Sequence, residues 1–151
     1  MKTKNNNITI KNKKATFDYF ILDDYIAGIE LFGTEIKSIR LGKASISDSY
    51  CSFINNELYL INSYISEYEF GNIRNHETKR NRKLLLRKDE LRKLKIKVTE
   101  KGLTIVPLSF FINDKGLCKV KIGVAKGKKE YDKRETIKDR DIKRDLEREK
   151  F

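Results

Sequence analysis

The chain has 151 residues, 38% of them hydrophobic and 37% charged, and a formal net charge of +12. That length suits one domain with a modest core of its own. A positive surplus this large points to polyanionic partners, nucleic acid first and anionic membrane second. Apolar runs such as Ile105–Pro107 and Leu84–Leu86 are far too short to span a bilayer. The N-terminal "MKTKNNNITIKNKKA" has no apolar h-region, and "KDEL" at 88–91 is internal, so neither is a targeting signal and the expected location is cytoplasmic.

Cys51 and Cys118 are the only cysteines and His76 the only histidine. The cysteines read as reduced, partly buried thiols in strands. Three scattered candidates fall short of a structural zinc site, so no metal or other cofactor is expected. A nucleophile paired with a base would have to use His76, whose setting "NIRNHETKRNRK" reads as a solvated loop. The acidic pair in "LDDY" (22–25) has no spacing that argues for a two-metal nuclease. No catalytic residues are expected.

In chain order, residues 1–14 are polar, Asn-rich and basic, and read as a flexible N-terminus. Residues 16–33 are rich in β-branched and aromatic side chains broken at Asp23-Asp24, which predicts two strands and a tight turn. "GTEIKSIRLGK" (33–43) predicts a short helix capped by Thr34, with Ile36 and Ile39 on one face and Gly42 at its end. Residues 49–65 predict a hairpin turning at Asn55-Asn56. Residues 66–83 show no period and read as a long excursion. Leu91, Leu94 and Val98 predict a helix closed near Gly102. Residues 103–125 predict a second hairpin with Asn113–Gly116 as its loop, and Pro107 inside it implies an edge or a bulge. The sum is mainly β. It is an OB-like antiparallel barrel of about six strands over residues 15–125, with two or three flanking helices.

Basic residues fall in three clusters: Lys11, Lys13 and Lys14; Lys79 to Lys95; and Lys126, Lys128 and Lys129. Any one would pass as a solvated face, but three on a +12 chain favour phosphate contact. The last segment, 126–151, holds eleven Lys/Arg and eight Asp/Glu with almost no apolar stripe. Opposite charges prevail at i,i+3 (Glu135–Lys138, Asp141–Arg144) and like charges at i,i+4, so its helical pairing energy is near balance. Such a tail is expected to be disordered alone and helical once a partner neutralises one sign.

The stretches "AGIELFGTEIKSIRLGKASISDSY" (27–50), "RNRKLLLRKDEL" (80–91), "KGLTIVPLSFF" (101–111) and "KVKIGVAKGKKEYDKRETIKDRD" (119–141) resemble the small protein B family, the SsrA-binding (tmRNA-binding) proteins of bacterial trans-translation. The resemblance runs from about Asn12 to about Arg144. It implies an adaptor without chemistry of its own. Such an adaptor binds the tRNA-like domain of tmRNA, alongside elongation factor Tu on alanyl-tmRNA, and enters ribosomes stalled with an empty A site.

Carried onto this chain, the resemblance implies a tmRNA face of Asn12, Lys13, Lys14, Glu35, Lys37, Lys43, Arg80, Arg82, Lys83 and Leu85. A core role for Leu85 fits its sequence equally well, and Gly28, Gly33 and Gly42 read as turns. The tail residues implied to meet ribosomal RNA in the decoding centre and vacant mRNA channel are Lys126, Lys128, Lys129, Tyr131, Asp132, Lys133, Arg134, Ile137, Lys138, Asp139 and Arg140. Departures from the family pattern stand at Phe17 (often His), Ile26 (acidic in some), Thr78 (often Pro) and Ile142 (Trp in some). The competing reading is a general structured-RNA-binding or ribosome-assembly protein built on the same barrel. No membrane or small-molecule partner is expected.

Overall fold

The computed structural model describes residues 8–71, 75–129, 133–134, 137–138 and 140–144. Among the described residues up to Lys129, nine strands and three helices follow in the order β1 (Thr9–Lys11), α1 (Lys13–Asp18), β2 (Tyr19–Ile29), α2 (Gly33–Arg40), β3 (Ala44–Ser45), β4 (Tyr50–Ile54), β5 (Glu57–Ile61), β6 (Tyr64–Ile65), β7 (Arg82–Leu85), α3 (Lys88–Thr99), β8 (Thr104–Ile112) and β9 (Cys118–Gly127). The main sheet runs β1-β8-β4-β5-β7-β2-β9, and β8 also pairs with β9, so every strand of that sheet but β1 joins a closed antiparallel ring, while β3 and β6 pair in a separate two-stranded sheet. One edge of β8 is shared: Ile105 faces Cys51 of β4, while Ser109–Phe111 face β1. Closure pairs the ring's strands on both sides, with the Ser109–Phe111 stretch of β8 taking β1 in place of a ring neighbour, and leaves one interior to fill. Ala27, Leu58, Leu60, Phe110, Val120 and Ile122 fill it with no exposed surface, and Leu94 of α3 packs on the same cluster.

The expected hairpins are present. Asn55 and Asn56 both take positive φ (51° and 66°), as a two-residue type I′ turn requires. In the second hairpin Asn113 closes the loop, its side-chain oxygen accepting the N–H groups of Lys115 and Leu117. Pro107 lacks an N–H, and the β8–β9 register shifts between Pro107 and Ser109, a bulge.

Four local expectations give way. Asp23-Asp24 make no turn: β2 pairs along its length with β9, with a register shift between Ile21 and Asp23. A bulge accommodates the two carboxylates, and Lys97 and Lys121 sit 3.1 and 3.8 Å from them. Thr16–Asp18 are helical, because Asn12 starts α1 instead of letting the strand begin. Thr9–Lys11 form β1 because β8 offers them an open edge. Thr34 does not cap α2; Phe32 is the N-cap residue, and its N–H donates to Glu35 Oε1 at 2.8 Å. Gly42, at φ 75°, ends α2 as expected.

Candidate nucleic-acid interface

Strand alternation turns one side of the barrel into a flat outer face. The inner row Ile10–Phe110–Val120–Ala27 crosses β1, β8, β9 and β2 and belongs to the core. The rows on either side therefore point outward. One is Thr9–Phe111–Lys119–Gly28–Leu85, continuing onto β7, and the other is Lys11–Ser109–Lys121–Ile26. Leu85 and Ile26 are 46% and 56% exposed, so Leu85 is a surface residue, and the core reading for it does not hold. Gly28 lies in a strand and not in a turn. A Cβ there would stand 3.3 Å from Leu85 Cβ and 3.7 Å from Lys119 Nζ, so glycine keeps the face flat beneath both.

A hollow of about 300 Å³ opens at the margin of this face, lined by Lys11, Asn12, Lys13, Thr16, Leu108, Ser109 and Lys121. Three ammonium groups around one hollow beside exposed apolar side chains suit a sugar-phosphate strand with an unpaired base lying on the face. Lys119 and Lys121 were missed as site residues. The alternation Lys119-Val120-Lys121-Ile122 in a predicted strand is the signal that assigns both to the outside.

Asn12 holds this site together from below. It is buried and caps α1, its Oδ1 accepting the Ala15 N–H at 3.2 Å. Its Nδ2 donates to the carbonyls of Ile46 (3.1 Å) and Pro107 (2.8 Å), and its own N–H donates to Leu108 O (2.8 Å). The side chain is used within the protein, so Asn12 fixes the backbone that carries Lys11 and Lys13. Lys14 projects from α1 toward Asp48, 3.3 Å away, and lines a different cleft.

Glu35 and Arg82 are also buried, both without exposed surface. Arg82 Nε donates to Glu35 Oε2 at 2.6 Å, and Arg80 Nη2 donates to Glu35 Oε1 at 2.7 Å. The rest of the Arg82 guanidinium donates to Ser63, Glu77, Thr78 and Arg80 oxygens. Burial alone would raise the Glu35 carboxyl, but the bonds from Arg80 and the Phe32 N–H and the charge of Arg82 outweigh it and hold the carboxyl below its usual range. Arg82 and Glu35 thus rivet α2 and the segment before β7 to the barrel. Neither presents charge to a ligand.

Arg80 stays partly exposed with its guanidinium 4.4 Å over the Phe32 ring. Lys37 is exposed over the Tyr68 ring at 5.4 Å, Lys43 is exposed beyond α2, and Lys83 is 2.9 Å from Glu57. His76 is buried, not solvated: Nδ1 meets Thr34 Oγ1 at 2.8 Å and Nε2 meets Ile65 O at 2.9 Å. A carbonyl only accepts, so Nε2 carries the proton. Burial pushes the Cys118 thiol up to about 12 and the Cys51 thiol higher still. Among the described residues no group of three His, Cys, Asp or Glu could hold a metal ion, and no helix is long and apolar enough to cross a membrane.

Of the tail, Lys126 pairs opposite Phe20 as part of β9, and Lys128 and Lys129 follow it. Lys133, Arg134, Ile137, Lys138 and Arg140 are helical, as are residues 141–144. Tyr131, Asp132 and Asp139 lie outside the described residues.

A small closed antiparallel barrel of OB type, with lysines ranked on one flat outer face, defines the class: a small RNA-binding barrel protein. Within that class, the model of the SmpB protein family matches residues 9–150, and the chain belongs to that family. It is 60% identical over 141 residues to the SsrA-binding protein of Flavobacterium johnsoniae, covering 93% of each chain. It is 57% identical to the SsrA-binding protein of Parabacteroides distasonis, covering 98% of this chain and 97% of that one. A solved structure described as "tmRNA-SmpB: a journey to the center of the bacterial ribosome" matches with a TM-score of 0.68 and 50% identity, covering 82% of this chain and 86% of the other.

Proposed function

We propose that this protein is a tmRNA-binding adaptor of trans-translation that works on the stalled ribosome in the cytoplasm. It holds the tRNA-like domain of tmRNA on the outer face of β1, β8, β9, β2 and β7. Its tail, from about residue 128 onward, occupies the vacant mRNA channel and decoding centre, and elongation factor Tu delivers the alanyl-tmRNA it accompanies. The protein contributes binding and positioning, with no bond-making step of its own.

The observation that carries this reading is the pair of outward rows bearing Lys11, Lys119 and Lys121 around Gly28 and Leu85. Family membership and relatives at 57–60% identity named SsrA-binding proteins support the choice of RNA. Of the residues that the resemblance implies for this face, Lys13 and Leu85 lie on it or at its margin. Lys14, Lys37, Lys43, Arg80 and Lys83 supply further phosphate contacts. Asn12, Glu35 and Arg82 act beneath it.

The test is a titration of the full-length protein against the tRNA-like domain of tmRNA and against an ordinary tRNA, at about 150 mM salt without added metal. A preference for the tRNA-like domain on the order of tenfold or more is expected. Equal affinities would show that charge alone holds the RNA, which is the behaviour of a general structured-RNA binder.

A further inference from the structure

Beyond the outward rows, the β2–β7 edge leads onto a second surface made by α2 and the loop 66–71. The chain after β2 is tied to the segment before β7: Arg80 Nη2 donates to Glu30 O at 3.2 Å, and Glu30 N–H donates to Lys83 O at 3.0 Å. Two phenylalanines project from this surface. Phe32 is 55% exposed, and Phe70, at 79%, is the most exposed large hydrophobic residue among those described.

The loop that carries Phe70 is clamped in place. Asn75 Oδ1 accepts the N–H groups of Tyr68 and His76, both at 3.2 Å, and Asn75 Nδ2 donates to Tyr68 O at 2.8 Å. Gly71 N–H closes the turn on Tyr68 O at 2.9 Å. A Cβ at Gly71 would stand 2.4 Å from Asn75 Nδ2 and 3.2 Å from Thr34 Cγ2, so glycine lets the turn press against Asn75 and α2. Within the turn the Tyr68 and Phe70 rings meet edge to face, their centroids 5.6 Å apart. Cations sit beside them. Lys37 Nζ is 5.4 Å over the Tyr68 ring, and the Arg80 guanidinium is 4.4 Å over Phe32.

We infer that this surface, with Phe70 at its tip, is a stacking platform for an unpaired base of the tRNA-like domain, and that Lys37 and Arg80 take the phosphates beside that base. Protein partners anchor in desolvated pockets, whereas these rings project into water and stand next to cations. Projecting rings flanked by cations match a base and its neighbouring phosphates. Glu67 and Glu69, exposed in the same loop, repel phosphate and leave the loop itself to the base. The platform continues the lysine face across the edge where Gly28 pairs with Leu85, so one RNA reaches both. The choice of RNA rests on the adaptor reading above, whereas the stacking geometry at Phe70 does not.

The chain has no tryptophan, so Phe70→Trp puts a single fluorophore on the platform of the full-length protein. Titration with the tRNA-like domain should quench its indole emission, with an affinity within about twofold of the parent's. Phe70→Ala should bind about tenfold more weakly, and Phe70→Leu, apolar but without a ring, should be as weak. Both should keep the parental slope of log K against log salt, while Lys37→Ala should lower it by about 0.7–0.9. Phe70→Ala binding as tightly as the parent, or indole emission unmoved at saturation, would overturn the platform. Parental RNA affinity with lost peptide tagging would assign the ring to a protein contact and overturn it equally. Quenching by small ribosomal subunits and not by the tRNA-like domain would overturn the choice of RNA. A parent without preference for the tRNA-like domain over ordinary tRNA would refute the adaptor reading, and quenching by either RNA would still support base stacking at Phe70.

Discussion

Glu35 is a carboxylate that sequence reasoning assigned to the RNA face and that the fold uses as a rivet. It is fully buried between Arg80 and Arg82. Replacing it by Gln leaves Arg82 buried beside a neutral group, which costs about 3–5 kcal/mol. Its folded-state pKa lies below the ordinary value, so its stabilisation is complete above the unfolded pKa near ~4.3 and is lost as pH falls through the lower folded value. Urea unfolding of Glu35→Gln should show reduced stability at neutral pH and a shallower decline on acidification below about pH 4.3. An acid limb as steep as the parent's would mean that another carboxylate drives it. The surface lysines behave differently. Lys119→Ala and Lys121→Ala should each weaken tmRNA binding and reduce the slope of log K against log salt by about 0.7–0.9. Weaker binding at an unchanged slope would show that they do not touch phosphate. These two lysines were legible from alternation alone. The burial of Glu35 and Arg82 was not, because a charged residue at helical spacing looks the same whether it faces water or a buried partner 47 positions away.

At the scale of elements, what was legible is what local chemistry decides. Asn55-Asn56 supplies the positive φ values of a type I′ turn, Leu94 supplies the buried face of α3, and Pro107 forces a bulge. What was not legible depends on distant partners. Asp23-Asp24 has turn composition, yet the ladder from β9 carries the strand through it. α1 exists because Asn12 bonds carbonyls 34 and 95 positions away, which no local pattern displays. That origin makes Asn12→Ala informative. Losing the cap costs about 1–2 kcal/mol, and the carbonyls of Ile46 and Pro107 lose a buried partner. α1 should loosen and tmRNA affinity should fall, while the salt slope stays at the parental value because no phosphate contact is removed. A slope reduced as far as in Lys121→Ala would instead make Asn12 part of the charged contact set. Thermal unfolding and a salt titration on the same variant separate the two.

The whole molecule joins a rigid barrel, whose closure fixes the RNA face, to a segment with little apolar surface of its own. The barrel's class followed from the count and pairing of predicted hairpins, and its strand pairing continues past residue 125. Lys126 and Gly127 still pair with Phe20 and Tyr19, and the Lys128 N–H bonds Asp18 O. Removal from residue 126 would therefore strip the end of β9 and disturb α1, and any loss of RNA binding would be ambiguous. Removal of residues 130–151 keeps every one of those bonds. The shortened protein should keep its affinity for the tRNA-like domain within about twofold, since Lys11, Lys13, Lys119 and Lys121 are untouched. It should fail to support peptide tagging on stalled ribosomes, because the residues proposed to reach the mRNA channel are gone. The bonds of Lys128 to Asp18 and Thr16 hold the junction shut, so the barrel's unfolding midpoint should move little, and that control shows whether the barrel survives the cut. A fall in tmRNA affinity matching the fall in tagging, with the midpoint unchanged, would make the tail part of the tmRNA site and end the separation of one protein into an RNA face and a channel probe.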